Sequence, residues 1–346
     1  MHELAQELLT GEEAWIVGGA VRDQLLGREL VDLDIACRDP KRAAREYARG
    51  SGGAPFPLSE RHGAWRVALD DGRTVDFTPL PNGIETDLAS RDFTINAIAS
   101  PLQGGEPVDP FGGAADLQAG VVRTVSESIF EDDPLRLLRA VRLADELGFR
   151  LAPETERLVR ENAHLVTEPA GERILAELRR LSPDGFRRLD ELGLLAPLGG
   201  ALDGQKRLDA CDHPDYALVV VFGENLRRLP VSNETRRFAR KMLTAKPPAD
   251  DSDRELHRFR RATEPWSLEA LAFIDAPGLR DAVIAARQND PAEPLIRGDE
   301  LDLLPGPEIG RLLDEIAEER AAGTITTREE AIEYARRNAR TVREDS

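Results

Sequence analysis

Short apolar runs alternate with amphipathic segments through the first 125 residues of the chain. Mainly apolar runs bounded by turn residues predict strands, whereas apolar residues three and four apart predict helices. The predicted strands are 14–17, 30–36, 62–69, 73–79 and 96–100, and the predicted helices between them are 20–26, 40–48 and 85–89. We therefore expect this part of the chain to form a sheet with helices packed against it.

Beyond residue 125 the apolar positions follow helical spacing almost to the end of the chain. Leu135, Leu138, Val141 and Leu143 give the first helix of this part an apolar stripe, and proline and glycine mark the breaks between helices. The predicted helices are 133–147, 153–163, 170–181, 183–192, a run of shorter ones between 205 and 275, 278–287, 306–321 and 327–340. A strand-containing part followed by a helical part predicts the α+β fold class.

Two glycines and two aspartates lie in the strand–helix–strand passage of residues 15–35. Gly18 and Gly19 remove Cβ atoms at the first turn, so backbone N–H groups there can approach phosphate oxygens. Asp32 and Asp34 share one face of the next strand, and two carboxylates together with a substrate phosphate are a common way to hold Mg²⁺. Each piece alone is most often a turn or a solvated strand face; in this order they indicate a nucleoside triphosphate site.

A second polar cluster occupies residues 87–99 and contains Arg91, Asp92 and Asn96. An arginine and an aspartate here can hold a triphosphate and a ribose hydroxyl respectively. A helix-terminal ion pair followed by an asparagine turn explains the same residues equally well. The residue chemistry leaves both interpretations open.

A third cluster lies at the start of the first helix beyond residue 125. Asp133 suits a helix cap and Pro134 the first helical turn. Arg136 and Arg139 lie three residues apart, so they share a helix face that Arg142 continues. An aspartate and an arginine side by side can present acceptor and donor edges to a nucleobase. The alternative is an ordinary capping aspartate with its neighbouring arginine.

Composition restricts the class of protein. The net charge of −18 argues against a nucleic-acid partner, but the positive residues are mostly arginines, clustered at 136–142, 179–180 and 227–241, where they could line a local groove. Cys37 and Cys211 are far apart and in no metal-binding spacing, which predicts free thiols in a reducing, cytoplasmic setting. No apolar stretch is long enough to span a membrane, so no membrane partner is expected.

The three clusters together resemble the class II tRNA nucleotidyltransferase and poly(A) polymerase family. The segments that carry the resemblance are 18–23 with 32–34, 91–97, 132–136, 172–178 and, toward the end of the chain, 294–301, 305–310 and 326–331. Two positions depart from the family pattern, because Ser90 stands where an arginine is usual and Asp132 where a glutamate is usual. The similarity extends over about residues 12–200 and 290–335, while the segment 205–285 is not diagnostic.

The resemblance implies an architecture and a reaction. The expected domains are a polymerase-β-like catalytic head with a mixed sheet (residues 1–125), a helical neck that reads the base (126–200), a helical body (201–285) and a helical tail that binds the acceptor–TΨC arm of tRNA (286–346). The RNA 3′-hydroxyl would attack a nucleoside triphosphate at the α-phosphate, with Asp32 and Asp34 holding two Mg²⁺ ions. Asp76 is either a third metal ligand or a plain edge-strand acid.

The family pattern also implies roles for the remaining residues. Gly18, Gly19 and Arg22 would cradle the triphosphate, Asp92 would bind the ribose 2′-hydroxyl, and Asp133 with Arg136 would pair with the base. The full set of expected nucleotide-binding residues is Gly18, Gly19, Arg22, Arg91, Asp92, Asn96, Asp133, Arg136, Arg139 and Arg142.

A short connector bears on which nucleotide is added. Family members that add the terminal adenosine usually carry a flexible loop before the second cluster, whereas only residues 81–83 separate Leu80 from Ile84 here. A turn this short cannot reshape the base pocket between cytosine and adenine, so we expect addition of CC from CTP, with a separate A-adding enzyme acting next. The alternatives are a full CCA-adding enzyme that also uses ATP, a poly(A) polymerase, and a non-catalytic RNA-binding scaffold.

Overall fold

The computed structural model describes residues 1–59, 63–202, 208–289, 293–301, 303 and 306–339. The chain divides into two compact units, Met1–Ala201 and Leu202–Ser346. Over the described residues, the first unit contains all the sheet structure and the three clusters described above. The predicted tail domain ends in residues 340–346, which lie outside the described residues, as does position 62 of the predicted third strand.

The strands of the first unit confirm the α+β class with a mixed sheet. They are β1 (Ala14–Val17), β2 (Asp32–Cys37), β3 (Ala54–Ser59), β4 (Ala64–Ala68), β5 (Thr74–Pro79), β6 (Ala99–Pro101), β7 (Val121–Val122) and β8 (Arg150–Leu151). Over the described residues, six of them form one sheet in the order β3-β4-β5-β2-β1-β6, and β7 pairs with β8. Strand β2 runs parallel to β5 and antiparallel to β1.

The sheet has one apolar face and one polar face along its central strands. Leu33 and Ile35 of β2 and Val75 and Phe77 of β5 are fully buried. These residues alternate with Asp32, Asp34, Thr74 and Asp76, which are paired in register across the two strands. Since alternate side chains of a strand point to opposite faces, the carboxylates share the face opposite the core.

The helices of the first unit cover the apolar face and extend the chain beyond the sheet. They are α1 (His2–Leu8), α2 (Gly19–Leu25), α3 (Pro40–Ser51), α4 (Ile84–Ala89), α5 (Gly113–Ala119), α6 (Ile129–Asp132), α7 (Arg136–Leu147), α8 (Pro153–Glu161), α9 (Gly171–Leu178) and α10 (Pro183–Glu191), with 3₁₀ turns at Thr94–Asn96 and Ala163–Thr167. Helix α3 packs on the apolar face, where Tyr47 contacts the ring of Phe77 at a centroid distance of 5.8 Å.

Several elements differ from the sequence prediction. Strand β3 was not predicted, because Pro55 and Pro57 are typical of loops; it is an edge strand, where proline is tolerated since one side of the strand needs no ladder partner. Helices α1 and α5 and the β7–β8 pair were also not predicted. The residues expected to start a strand at 96 form a 3₁₀ turn, and the strand begins only at Ala99.

The expected cap of the first helix beyond residue 125 is wrong. Helix α7 begins at Arg136 with Leu135 as its N-cap, whereas Asp133 ends the short helix α6. Asp133 still accepts a hydrogen bond from the backbone N–H of Leu135 (3.2 Å), so it stabilises the turn between the two helices. The three arginines of α7 keep their predicted spacing.

The second unit is helical over its described residues. Its helices are α11 (Tyr216–Phe222), α12 (Asn233–Thr244), α13 (Asp253–Thr263), α14 (Ser267–Phe273), α15 (Arg280–Gln288), α16 (Pro307–Ala321) and α17 (Arg328–Asn338), with 3₁₀ turns at Gly223–Arg228, Pro277–Leu279 and Gly298–Glu300. Leu312 and Ile316 of α16 pack with Ala331 and Ala335 of α17 in one apolar cluster. Among the described helices of both units, none has the length and apolar character that crossing a membrane requires.

Candidate active site

A cavity of about 480 Å³ in the first unit brings the three clusters together. Its lining consists of Gly18, Gly19, Arg22, Asp34, Asp87, Ser90, Arg91, Asp92, Asn96, Asp133, Arg136, Arg139, Arg142, Leu143, Glu146, Arg173 and Arg180. All ten expected nucleotide-binding residues are in this set, together with Asp34. Asp32 and Asp76 are not in the lining and lie on the sheet face beside Asp34. With seven arginines and five carboxylates, the lining suits a polyanion that arrives with cations.

The glycine turn between β1 and α2 allows the side chains of Asp34 and Arg91 to pack directly against the backbone of Gly18. Gly18 has a φ of 68°, a conformation that favours glycine. A Cβ at this position would lie 2.7 Å from Arg91 Nη1 and 3.2 Å from Asp34 Oδ2. Any larger residue would therefore push both side chains out of the cavity wall.

Three carboxylates lie close together on the polar face of the sheet. Asp34 and Asp76 are register partners on β2 and β5, and Asp32 lies two residues before Asp34, where its Oδ1 accepts a hydrogen bond from the Thr74 hydroxyl (2.7 Å). Burial, together with the charges of Asp76 and Asp32, raises the pKa of Asp34 to about 6, although Arg91 opposes the rise. The negative charge at Asp34 is therefore incompletely compensated by the protein itself.

Asp76 differs from Asp34 because it already has a cationic partner. Both of its oxygens accept hydrogen bonds from Arg66 on the neighbouring strand β4, each at 2.7 Å. Strand β5 lies inside the sheet, between β4 and β2, so the interpretation of Asp76 as an edge-strand acid is wrong. In this arrangement Arg66 occupies the oxygens that a metal ion would need.

The carboxylates fit a divalent cation that a substrate helps to hold. Asp32 and Asp34 present oxygens on one face, and the raised pKa of Asp34 reflects the crowding of negative charge that a cation would relieve. Within the described part of the chain, no group of three or more histidine, cysteine, aspartate or glutamate side chains is arranged to hold a metal ion. Mg²⁺ commonly takes one or two protein carboxylates and completes its shell with phosphate oxygens and water, so two carboxylates suffice.

A chain of hydrogen bonds connects the glycine turn to helix α7. Arg22 donates to Oδ1 of Asn96 (2.8 Å), and Nδ2 of Asn96 donates to Oδ1 of Asp92 (3.0 Å). The other oxygen of Asp92 accepts two hydrogen bonds from Arg139, at 2.9 and 2.7 Å. Arg22 is also held by Asp23 through two hydrogen bonds of 2.9 Å. The side chains that line opposite sides of the cavity therefore hold one another in place.

The negative charge of the buried Asp92 carboxylate is compensated by hydrogen-bond donors of the protein. Its side chain accepts four hydrogen bonds, the fourth from the backbone N–H of Phe93 (2.9 Å). Burial by itself raises the pKa of this group, but the charge of Arg139 and the hydrogen bonds from Asn96, Arg139 and Phe93 outweigh burial and lower it. Since a carboxylate has about four acceptor positions, a ribose hydroxyl reaches Asp92 only by replacing one of these donors.

The arginines of α7 are anchored by glutamates on the helical side of the cavity. Arg142 is buried and forms an ion pair of 2.6 Å with Glu177 of α9, whose other oxygen lies 3.9 Å from Arg139. Glu146 joins Arg142 (3.2 Å) to Arg180 (2.8 Å). These ion pairs fix the direction in which the α7 arginines face the cavity.

The residues expected to read the base lie at the rim of the same wall. Asp133 forms an ion pair with Arg173 of α9 through its Oδ2 (3.0 Å), and Arg136 donates a hydrogen bond to the carbonyl oxygen of Ser90 (2.9 Å). The Arg136 contact ties the start of α7 to the end of α4. Ser90, where the family pattern has an arginine, thus contributes its backbone to the site.

Sequence reasoning missed six lining residues: Asp87, Ser90, Leu143, Glu146, Arg173 and Arg180. Asp87 holds Arg91 by an ion pair of 2.8 Å at a spacing of four residues, a helical signal that was available in the sequence. Arg173 lies in the segment 172–178 that carries part of the resemblance. Arg180 belongs to a recognised arginine cluster. The partners of Arg173 and Arg180 lie on other segments of the chain, so these two ion pairs could not be predicted from local sequence.

Parts of the chain match known protein families. Residues 14–80 and 66–123 match the family described as the poly A polymerase head domain, and residues 148–199 match one described as the "probable RNA and SrmB-binding site of polymerase A". A protein of Deinococcus radiodurans named an A-adding tRNA nucleotidyltransferase is 35% identical, over 94% of this chain and 95% of its own length. A CC-adding tRNA nucleotidyltransferase of Geobacter sulfurreducens is 45% identical over 49% of this chain and 40% of its own length.

A solved structure shares the fold over almost the whole chain. The Thermotoga maritima CCA-adding enzyme complexed with tRNA superimposes with a TM-score of 0.75, at 22% identity, over 97% of this chain and 94% of that one. At this identity the likeness concerns the fold. Together with the sequence matches, it confirms the family resemblance that the three clusters indicate.

Proposed function

The chain belongs to the tRNA nucleotidyltransferase family, and on that basis we propose that it adds cytidine nucleotides, as CC, to the 3′ end of tRNA. It is an enzyme that uses nucleoside triphosphates. The observation that carries the proposal is the meeting of Asp34, Arg91 and the bare backbone of Gly18 at the wall of an arginine-lined cavity. This arrangement places a metal-binding carboxylate beside a triphosphate-binding surface.

The reaction is a displacement at phosphorus. The oxygen of the RNA 3′-hydroxyl forms a bond to the α-phosphorus of CTP, the bond from that phosphorus to the bridging oxygen breaks, and pyrophosphate leaves. Asp32 and Asp34 would hold Mg²⁺; two such ions would lower the pKa of the attacking hydroxyl and neutralise the leaving phosphates. Asp76 stays paired with Arg66 on the neighbouring strand, and its charge contributes to the raised pKa of Asp34.

The cavity side chains bind and orient the nucleotide. Gly18, Gly19 and Arg22 cradle the triphosphate, with Arg22 held in place by Asp23 and Asn96. Asp92 selects ribose, and the 2′-hydroxyl replaces one of the hydrogen bonds from Arg139. This exchange keeps the number of hydrogen bonds to the carboxylate at four.

The base is read by protein side chains at the rim. Asp133 offers carboxylate acceptors and Arg136 offers guanidinium donors, and both lie on the wall that faces the glycine turn. Asp133 is held by Arg173 and by the backbone N–H of Leu135, and Arg136 is held by the Ser90 carbonyl. Tethered donors and acceptors favour one base because they cannot follow a second hydrogen-bonding pattern without breaking those contacts.

The connector between β5 and α4 supports a fixed choice of nucleotide. Strand β5 ends at Pro79 and α4 begins at Ile84, so only residues 80–83 lie between them. Leu80 donates its N–H to the carbonyl of Cys37 (3.0 Å), and the Thr86 hydroxyl donates to the carbonyl of Asn82 (3.0 Å). A four-residue connector held at both ends has no free length with which to reshape the base pocket between C and A.

Addition of adenosine alone is the second candidate. The relative from Deinococcus radiodurans, which matches this chain over 94% of its length, is named for A addition, whereas the CC-adding relative matches 49%. A fixed pocket is compatible with either base. In both cases a separate enzyme would add the rest of the CCA end.

The experiment that tests the proposal supplies tRNA transcripts ending before CCA, or after CC, with CTP, ATP or both, and sequences the products. CC addition to the first transcript without A addition to either supports the proposal. Addition of A to the CC-ended transcript alone selects the second candidate. A complete CCA end contradicts the argument from the connector, and extension of an unstructured RNA of equal length would indicate a poly(A) polymerase.

A further inference from the structure

An exposed aromatic side chain continues the row of polar residues on the carboxylate face of the sheet. Phe56 of β3 is the register partner of Arg66, Arg66 of Asp76, and Asp76 of Asp34. Side chains of directly paired residues lie on the same face of a sheet. Phe56 therefore stands on the same face as the carboxylates, three strands away from Asp34.

This face opens toward the edge of the sheet. The exposed fraction is 13% for the Asp76 side chain, 35% for Arg66 and 42% for the residue Phe56. The opposite face of the same strands is covered, since Trp65 lies beneath Lys41 and Arg45 of α3. An RNA strand could thus approach the carboxylates along one side of the sheet only.

Strand β3 concentrates exposed apolar side chains. Across the described residues, the large hydrophobic side chains that are exposed are Leu25, Val31, Phe56 and Leu58, two of them on this strand. Leu58 lies at the register shift between Pro57 and Ser59, beside Phe56. An aromatic and a leucine exposed on an edge strand are a liability in a protein without a partner for them.

We infer that Phe56, with Leu58 beside it, is a stacking platform for a base near the 3′ end of the RNA that receives the nucleotide. This inference rests on the proposed transfer to an RNA 3′-hydroxyl. Three inter-strand steps place Phe56 about 14 Å from Asp34 along the sheet, so an RNA end at the carboxylates can lay a neighbouring base on the ring. Aromatic rings bind every base by stacking, which suits a site that holds the strand without reading its sequence.

The incoming nucleotide does not compete for this surface. Phe56, Arg66 and Asp76 are absent from the lining of the cavity in which the triphosphate is expected, and Asp34 adjoins both regions. The platform and the cavity therefore lie on two sides of the same carboxylate. This is the arrangement that a reaction between two separately bound substrates requires.

The test measures steady-state nucleotide addition by the full chain and three variants at Phe56, with Leu25→Ala as the matched control. Leu25 is an exposed apolar residue on helix α2, away from β3. We expect Phe56→Ala to raise the KM for tRNA about tenfold while the KM for CTP stays unchanged, because it removes one stacked base. Phe56→Leu should show most of this loss, and Phe56→Trp should retain wild-type KM.

A binding measurement keeps this inference separate from the proposed function. A tRNA with 2-aminopurine near its 3′ end should lose fluorescence when it binds the wild-type protein or Phe56→Trp, and keep it with Phe56→Ala. If the wild-type protein quenches 2-aminopurine fluorescence but transfers no nucleotide, the inference about the Phe56 platform stands and the proposed function is overturned. Normal transfer with an unchanged KM in Phe56→Ala, a wild-type KM in Phe56→Leu, or an equal loss in Leu25→Ala would overturn the platform.

Discussion

Asp34 and Asp92 line the same cavity, yet their pKa values are shifted in opposite directions. Asp34 is only partly buried, and its pKa rises to about 6 because burial and two neighbouring carboxylates outweigh Arg91. Asp92 is more deeply buried, at 6% exposure, and its pKa is lowered because the charge and two hydrogen bonds of Arg139, with one hydrogen bond each from Asn96 and Phe93, outweigh the effect of burial. Depth of burial therefore does not decide the charge state; the partners do.

The difference separates two uses of a buried acid. Asp92 is satisfied by the protein and joins the head to helix α7 through Asn96 and Arg139. Asp34 has crowded negative neighbours and, within the part of the chain that the structure describes, no arginine hydrogen-bonded to it, so it gains most from a cation supplied with the substrate. Asp34 belongs to the chemistry, whereas Asp92 both holds this framework together and is the proposed ribose-binding group.

The largest expected effect is on the transfer rate of Asp34→Asn. Removing a carboxylate that holds the catalytic cation should lower kcat about a thousandfold, since such an ion contributes several kcal/mol to the transition state. Asp71→Asn, which removes an exposed carboxylate of the β4–β5 turn, serves as the control and should keep wild-type kcat. Quantified extension of tRNA under saturating CTP measures both, and a kcat for Asp34→Asn within tenfold of wild type would remove Asp34 from the reaction.

Replacing Asp92 should instead weaken the fold. Asp92→Ala leaves Arg139 and Asn96 without their shared acceptor, and since Arg139 is partly exposed we expect a loss of about 2 kcal/mol in the free energy of unfolding. Glu161→Gln, which breaks the exposed pair with Arg157, should cost close to nothing. Urea denaturation of the three proteins gives the comparison; equal stabilities would show that Asp92 is not a framework residue.

A smaller effect is the pH dependence of the Asp92 contribution. Because the folded-state pKa of Asp92 is lowered, its stabilisation is present above the unfolded pKa of about 3.9 and is lost as the pH falls through the folded value. The gap in unfolding free energy between wild type and Asp92→Asn should therefore be full at neutral pH and shrink in acid. A gap that widens as the pH falls would reverse the assigned direction of the shift.

The sequence predicted the parts of this site that depend on local pattern. The alternation in β2 placed Asp32 and Asp34 on one face, and the spacing in α7 placed Arg136, Arg139 and Arg142 along one side, as the structure shows. Both depend only on residues close together in the chain. The four-residue connector before α4 was likewise visible as a short turn.

Contacts between distant segments could not be predicted in this way. The pairing of Asp76 with Arg66 requires the register of β4 against β5, and the anchoring of Arg142 by Glu177 requires the packing of α7 against α9. The prolines of β3 argue against a strand in the sequence. They are tolerated because β3 lies at the edge of the sheet, and edge position depends on the arrangement of all the strands. Phe56 likewise could not be assigned to the carboxylate face from the sequence, because that assignment requires the registers of β3 against β4 and of β4 against β5.

The most direct test of the contrast between the two acids is the stability of Asp34→Asn with and without Mg²⁺. In a solution containing a metal chelator, the variant should be more stable than wild type by up to about 3 kcal/mol, because a carboxylate of raised pKa is an uncompensated charge at neutral pH. Saturating Mg²⁺ should then stabilise wild type by about 1 kcal/mol and leave the variant unchanged. If Asp34→Asn is less stable than wild type in the presence of the chelator, or if Mg²⁺ stabilises both proteins equally, Asp34 is not a ligand of the cation.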